Sequence, residues 1–190
     1  MTRLVAIVGS VTPPGRLGRA VGDAVERLRS GREVDASVID LAQLTLAFAD
    51  GRPPEAFADD TAATVDAIKE ADAIVIATPV YRGSLSGSLK NLLDQTPVEA
   101  LRAKPTAIIA MGASLHHYLG ADRHLRDILT FFGAFVTPVS VYLTSADFVE
   151  GAPSDGAAAE LDLLLANLVD LMAAASATST GPTPLGARRG

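Results

Sequence analysis

Within the eight residues Gly9-Ser10-Val11-Thr12-Pro13-Pro14-Gly15-Arg16 the chain gathers two hydroxyls, two glycines and a guanidinium. These groups can hold an anion. Ser10 and Thr12 offer hydroxyl donors, and Arg16 offers a charged fork matched to phosphate oxygens. The spacing is neither Gly-x-x-x-x-Gly-Lys-Ser/Thr, which cradles a triphosphate, nor Gly-x-Gly-x-x-Gly, which marks a dinucleotide fold. On these residues alone two readings stand: a phosphate site, or a plain turn capped by Ser10 with Arg16 in solvent.

His116, His117 and His124 form a second set. Adjacent histidines project in different directions, and His117 and His124 lack both the i, i+4 spacing and the intervening acid of a helical zinc site. Structural or surface roles fit them better than metal ligation. Cysteine is absent from all 190 residues. That removes disulfides, thiolate metal sites and cysteine nucleophiles, so any redox chemistry falls to a bound cofactor. Ser86 reads as a helix cap, and Lys90 and Asp94, four apart, as a surface pair; neither pattern calls for a catalytic role.

The elements that must position these groups follow from hydrophobic periodicity. Leu4 to Val8 is a short β-branched run and reads as a buried strand, and Leu17, Val21, Val25 and Leu28 return at helical spacing. Further strands are predicted over Val34 to Ile39, Ala73 to Ala77, Pro105 to Met111 and Phe135 to Leu143, the last interrupted by Pro138. Helices are predicted over Phe57 to Ala71, Ser88 to Asp94, Tyr118 to Phe132 and Glu160 to Met172. The segment from Asp40 to Pro54 is a long connection whose apolar residues pack locally or against a partner. Strands alternating with helices mean a parallel sheet covered on both faces with right-handed crossovers. Ligand loops in such a sheet lie at the carboxyl ends of the strands. Three small-residue loops meet there: residues 9–17, 79–86 and 111–117.

The length suits one domain, taken as residues 1–175, and the Ser-, Thr-, Pro- and Gly-rich stretch 176–190 reads as a mobile tail. A net charge of -6 argues against a nucleic-acid surface without forbidding a local anion pocket. The first apolar run stops at Gly9-Ser10, too early for a signal peptide, and no later run is long enough to span a membrane. A cytoplasmic protein is expected.

From Thr78 to Asp94 the sequence Thr-Pro-Val-Tyr-Arg-Gly-Ser-Leu-Ser-Gly-Ser-Leu-Lys-Asn-Leu-Leu-Asp closely resembles the NAD(P)H-dependent FMN reductases of the flavodoxin-like superfamily. Gly9-Ser10 with Pro14-Gly15-Arg16 is similar to that family's phosphate loop, and the similarity continues through Met111 to His117 and Asp122. The subgroup it most resembles supplies reduced flavin to two-component alkanesulfonate monooxygenases. The resemblance implies an α/β, flavodoxin-like three-layer sandwich with a five-stranded parallel sheet of order 2-1-3-4-5. It also implies FMN across the strand ends, NADPH or NADH as hydride donor, and a homodimer or homotetramer.

By the same resemblance, Ser10, Arg16 and the backbone of Leu17 and Gly18 contact phosphate. Pro79, Val80, Tyr81 and Arg82, with Gly83 and Ser84 in the same loop, line the flavin ring, and Gly112 and Ala113 complete the pocket. Leu17 and Gly18 stand where the family often has hydroxyls, and Ala113 where a second glycine is common. An irregular helix that builds a subunit interface is expected near Tyr118. Read for their own chemistry, the backbone N–H groups of residues 80 to 83 can face the flavin pyrimidine edge, which gains negative charge on reduction. Tyr81 either packs beside the ring or wedges between helices, and Arg82 either attracts a pyridine-nucleotide phosphate or faces solvent. Two alternatives remain at this point: an enzyme that retains FMN and reduces a quinone or azo compound, and a flavodoxin-like electron carrier without enzymatic activity.

Overall fold

The computed structural model describes residues 2–12 and 15–176. Strands β1 (Thr2–Val8), β2 (Val34–Asp40), β3 (Ala73–Pro79), β4 (Pro105–Met111) and β5 (Phe135–Val136) form a parallel sheet in the order β2-β1-β3-β4-β5. The central strands carry unbroken apolar runs, Leu4 to Val8, Ala73 to Ala77 and Ala107 to Met111, because both faces are covered. Ile74, Val75 and Ile76 have no exposed surface. Alternation then divides the core. Leu4, Ala6 and Val8 join the cluster built on α1 (Arg16–Gly31) and α5 (Asp155–Ser176). Val5 and Ile7 join the opposite cluster with α2 (Thr61–Glu70), α3 (Gly87–Gln95) and α4 (Tyr118–Phe132). In α1 the buried stripe is Leu17, Ala20, Val21, Ala24, Val25 and Leu28, the i, i+3, i+4 face of a helix on a sheet. The three-layer sandwich and the strand order predicted from sequence are both observed.

One strand differs. The predicted run from Phe135 to Leu143 is two pieces, β5 and β6 (Val141–Leu143), which pair with the start and the end of β4 and make the sheet six-stranded. Pro138 lies in the gap, where it has no N–H to give the ladder. Arg126 bridges that gap, donating from Nη1 to the Thr137 carbonyl at 2.9 Å and from Nη2 to that of Pro138 at 3.3 Å. Its Nε donates to Asp122 Oδ2 at 2.9 Å. The break is thus held by α4.

Helix α2 starts at Thr61 rather than Phe57, because Asp59 and Asp60 are engaged across the long connection. Asp59 accepts from the Ala47 N–H at 2.6 Å, and Asp60 accepts from that of Thr45 at 2.8 Å. Leu41 is buried in that connection while Phe48 stands 83% exposed. Helix α5 begins five residues before the predicted Glu160. The tail predicted for 176–190 lies, apart from Ser176 at the end of α5, outside the described residues. Helix α4 runs as one continuous α-helix behind a single 3-10 turn at Leu115–His117, so the irregularity expected near Tyr118 is that turn and no more.

Sequence periodicity assigns nothing between β6 and α5. There the chain folds a Thr144–Asp147 capping box and a two-residue-stranded hairpin, β7 (Phe148–Val149) with β8 (Ala152–Pro153). Glu150 and Gly151 turn it at φ 51° and 83°, the pair of positive values that matches strand twist in a tight hairpin.

Candidate functional site

The first loop leaves β1 at Gly9 and is tied to its neighbours through that residue. Its N–H donates to the Ala77 carbonyl at 2.7 Å. Its own carbonyl accepts from Ser86 Oγ and, at 3.2 Å, from Ser88 Oγ. A Cβ on Gly9 would stand 2.7 Å from Leu89 Cβ, so only glycine lets α3 approach so closely. Ser86 also caps α3, accepting from the Leu89 N–H at 3.2 Å, and donates its own N–H to Thr78 Oγ1 at 3.0 Å. The cap predicted at Ser86 is present, and the sequence had given no sign of its second task of joining the first loop to the second.

Ser10 is buried, with its Oγ accepting from the Thr12 N–H at 3.4 Å. Helix α1 then starts at Arg16, preceded by Gly15, without a side-chain cap and without an acid in its first turn. The N–H groups of Arg16, Leu17 and Gly18 meet no acceptor among the described residues. An uncapped helix start of this kind carries partial positive charge and free donors. The Leu17 side chain is in the core, so only its backbone faces the loop. Space opens beside the helix start, a cavity of about 340 Å3 bordered by Gly15, Gly18, Arg19 and Asp40.

The second loop is a tight turn. The Tyr81 N–H donates to the Ser84 carbonyl at 2.9 Å, and the Ser84 N–H returns to the Tyr81 carbonyl at 3.1 Å. Arg82 and Gly83 sit between them at φ 53° and 79°, the type I′ combination. The expectation that four backbone donors face a ligand is corrected here. The Val80 N–H is taken by the Met111 carbonyl at 2.7 Å and that of Tyr81 by the turn, whereas those of Arg82 and Gly83 have no partner among the described residues. Tyr81 is 46% exposed and is no wedge between helices. Pro79 and Val80 are half-buried at the end of β3. From α4, His124 Nδ1 lies 2.9 Å from Ser84 Oγ, which accounts for His124 as a structural contact. Arg82 is a non-glycine residue in left-handed backbone, at a cost of about 1–2 kcal/mol. Arg82→Asn, giving the favoured Asn-Gly turn, is expected to raise stability by about 0.5–1 kcal/mol in a thermal melt.

The third loop is narrower than its small residues imply. Gly112 donates to the Leu143 carbonyl at 2.9 Å and is covered by Tyr142, whose hydroxyl would stand 2.0 Å from a Cβ at Gly112. That hydroxyl donates to the Ser114 carbonyl at 2.8 Å, and burial pushes the phenol above its ordinary pKa. The ring meets Tyr118 edge to face, 5.4 Å between centroids. Of the two residues predicted to line the pocket, Ala113 is exposed and Gly112 lies behind Tyr142. Gly120 in α4 abuts the second loop, where a Cβ would stand 2.4 Å from the Gly83 carbonyl oxygen. The three loops are therefore neighbours in space, with α4 behind two of them.

Arg16 is exposed, but its guanidinium has partners in the protein. Its Nη2 donates to Ser145 Oγ at 3.3 Å, and its Cζ lies 5.4 Å from the centroid of the Phe148 ring. Among the described residues no three His, Asp or Glu side chains converge as a metal site, and no helix is long and apolar enough to cross a membrane. A larger cavity of about 820 Å3 lies at the amino ends of the strands, bordered by Thr2, Asp72, Lys104 and Met172. There the Lys104 ammonium is spent on the last carbonyls of α2, donating to Ile68 at 2.7 Å and Lys69 at 2.6 Å.

Known proteins share this architecture. The family described as NADPH-dependent FMN reductase matches residues 2–148. An NAD(P)H-dependent FAD/FMN reductase of Geobacillus thermodenitrificans is 40% identical over 126 residues, covering 66% of this chain and 68% of its own. An FMN reductase (NADPH) of Pseudomonas aeruginosa is 32% identical over 146 residues, 77% of this chain and 78% of its own. Among solved structures, an NADH:FMN oxidoreductase in its apo form superposes with a TM-score of 0.74 at 26% identity, covering 100% of this chain and 97% of its own.

Proposed function

Since the chain belongs to the NADPH-dependent FMN reductase family, we propose that its three strand-end loops seat FMN with the phosphate at the start of α1. We propose further that the reduced flavin leaves to serve a partner flavin-dependent monooxygenase. The observation that carries the seating is the uncapped start of α1. Three backbone donors, the buried Ser10 and the charged Arg16 lie there with no acid in the first turn of the helix, while Asp40 borders the cavity on its β2 side. The free N–H groups of Arg82 and Gly83 supply two more donors on the neighbouring loop. These fit a flat phosphorylated ligand, charged at one end and acceptor-rich at the other.

When bound, FMN supplies the hydride acceptor. The residues here bind and orient. The α1 start and Ser10 fix the phosphate, the 81–84 turn presents fixed dipoles to the ring edge, and Tyr142 closes the third loop from behind. Fixed dipoles need no reorganisation as charge develops. Holding two reactants face to face supplies much of the rate without a general acid or base. An assembly of two or four copies fits the exposed apolar side chains near the loops: Val11 and Phe48, which share a cavity of about 300 Å3, and Leu115 and Tyr118.

The deciding experiment follows NADPH and NADH oxidation with and without added FMN, then passes the protein through gel filtration. Turnover that depends on added FMN, with flavin lost on the column, is expected. Flavin retained on the column with rapid quinone turnover would convert the reading to a flavin-retaining reductase. Absence of coenzyme oxidation at saturating FMN would leave only an electron carrier.

A further inference from the structure

The guanidinium of the phosphate loop is held by a part of the chain 129 residues away in sequence. Its Cζ lies over the Phe148 ring, 5.4 Å from the centroid, and one nitrogen donates to Ser145 Oγ. Of its nitrogens only Nη2 is used by Ser145, so Nε and Nη1 remain to grip an anion through two donors. The seat is itself fixed. Asp147 Oδ2 accepts from the Thr144 N–H at 2.6 Å and from its hydroxyl at 2.9 Å, and the Ser154 N–H closes onto the Asp147 carbonyl at 2.8 Å. Phe148 pairs with Pro153 across the hairpin and packs on the α1 side of the core. The turn of the hairpin lies over Arg19, whose guanidinium would be 3.3 Å from a Cβ on Gly151.

We infer that Phe148, assisted by Ser145, is a positioning residue that holds the Arg16 guanidinium ready for the flavin phosphate, so that the β7–β8 hairpin helps select phosphorylated over unphosphorylated flavin. The inference rests on the reading that phosphate binds at the start of α1. An unseated exposed arginine gives up side-chain freedom each time it grips an anion, and one already held by a ring and a hydroxyl has given up part of it beforehand.

The test titrates the full chain with FMN and with riboflavin, following flavin fluorescence. Leucine at 148 keeps the apolar contact with the core and removes the ring. Phe148→Leu is expected to raise the FMN dissociation constant about 2- to 5-fold, the range of an exposed cation–π contact, and to leave riboflavin unchanged. Phe148→Tyr is expected to retain the parent affinity. In an Arg16→Ala background the Phe148→Leu change is expected to have no further effect. A parent preference for FMN that Phe148→Leu leaves intact overturns the inference, as does a loss falling equally on both flavins. Should the Phe148 variants not fold, Ser145→Ala, at an exposed position, carries the same test: a lowered FMN preference supports the inference and an unchanged one overturns it. A parent chain that binds the two flavins equally overturns the phosphate reading beneath it, a result distinguishable from the others.

Discussion

Arg16→Ala is expected to raise the FMN dissociation constant about 10- to 100-fold, the value of charge-assisted hydrogen bonds lost from one phosphate contact. The melting temperature should stay within about 2 °C of the parent, because the side chain is exposed and such replacements rarely exceed about 0.5 kcal/mol. Riboflavin, lacking the phosphate, should bind both proteins alike. Arg16→Lys separates charge from shape. Lysine keeps the cation but cannot offer a planar fork over the Phe148 ring, so its FMN affinity should lie between the parent and the alanine variant. Salt dependence adds a further sign. The parent should lose FMN affinity more steeply with ionic strength than Arg16→Ala does, since one charge has gone from the contact. Unchanged FMN affinity in a folded Arg16→Ala protein would remove this residue from the site.

Why could Arg16 be picked out from sequence while its seat could not? The loop announces itself locally, since Gly9-Ser10 ends an apolar strand and Leu17 starts a helical stripe. The parallel sheet follows from the same alternation of β and α segments, its strand order comes from the family resemblance, and β4 and α4 end where their hydrophobic runs end. The hairpin that holds Arg16 has two-residue strands, too short to show a period of two. Its contact with the loop is purely tertiary. Tyr142 was hidden for a related reason. It alternates with the buried Val141 and Leu143, and nothing local says that its ring closes over Gly112. Helix α2 starts later than its periodicity predicts because Asp59 and Asp60 bind N–H groups of residues 47 and 45, a choice made by the fold rather than by helix propensity. Which backbone donors stay free was equally illegible. Sequence shows four at residues 80 to 83, and only the pairing of Val80 with Met111 and the closed turn at Tyr81 reduces them to two.

Gly120→Ala should be more damaging than its chemistry implies. Within a helix the change normally gains about 1 kcal/mol. Here the new methyl would lie 2.4 Å from the Gly83 carbonyl oxygen and 3.2 Å from its carbonyl carbon, backbone atoms with no rotamer by which to withdraw. Either the first turn of α4 or the 81–84 turn must move. Overpacking of this kind costs about 1–3 kcal/mol, and at about 2–4 °C per kcal/mol for a chain of this size the melting temperature is expected to fall by roughly 2–12 °C. The consequence for turnover is larger. The displaced turn carries the free N–H groups of Arg82 and Gly83, and an error near 1 Å in a positioning element costs on the order of 100-fold; kcat/KM for the coenzyme should fall at least about 10-fold. Two other glycines calibrate the claim. A Cβ on Gly83 meets open space, so Gly83→Ala should show only the left-handed penalty of about 1–2 kcal/mol with the turn still anchored. A Cβ on Gly112 meets the far end of Tyr142, which can swing aside by giving up its bond to Ser114, so Gly112→Ala should be relieved by Tyr142→Leu. No substitution on a flexible side chain offers that relief at Gly120. A Gly120→Ala protein as stable and as active as the parent would show that α4 does not press on the second loop, and the shared geometry of loop and helix would have to be redrawn.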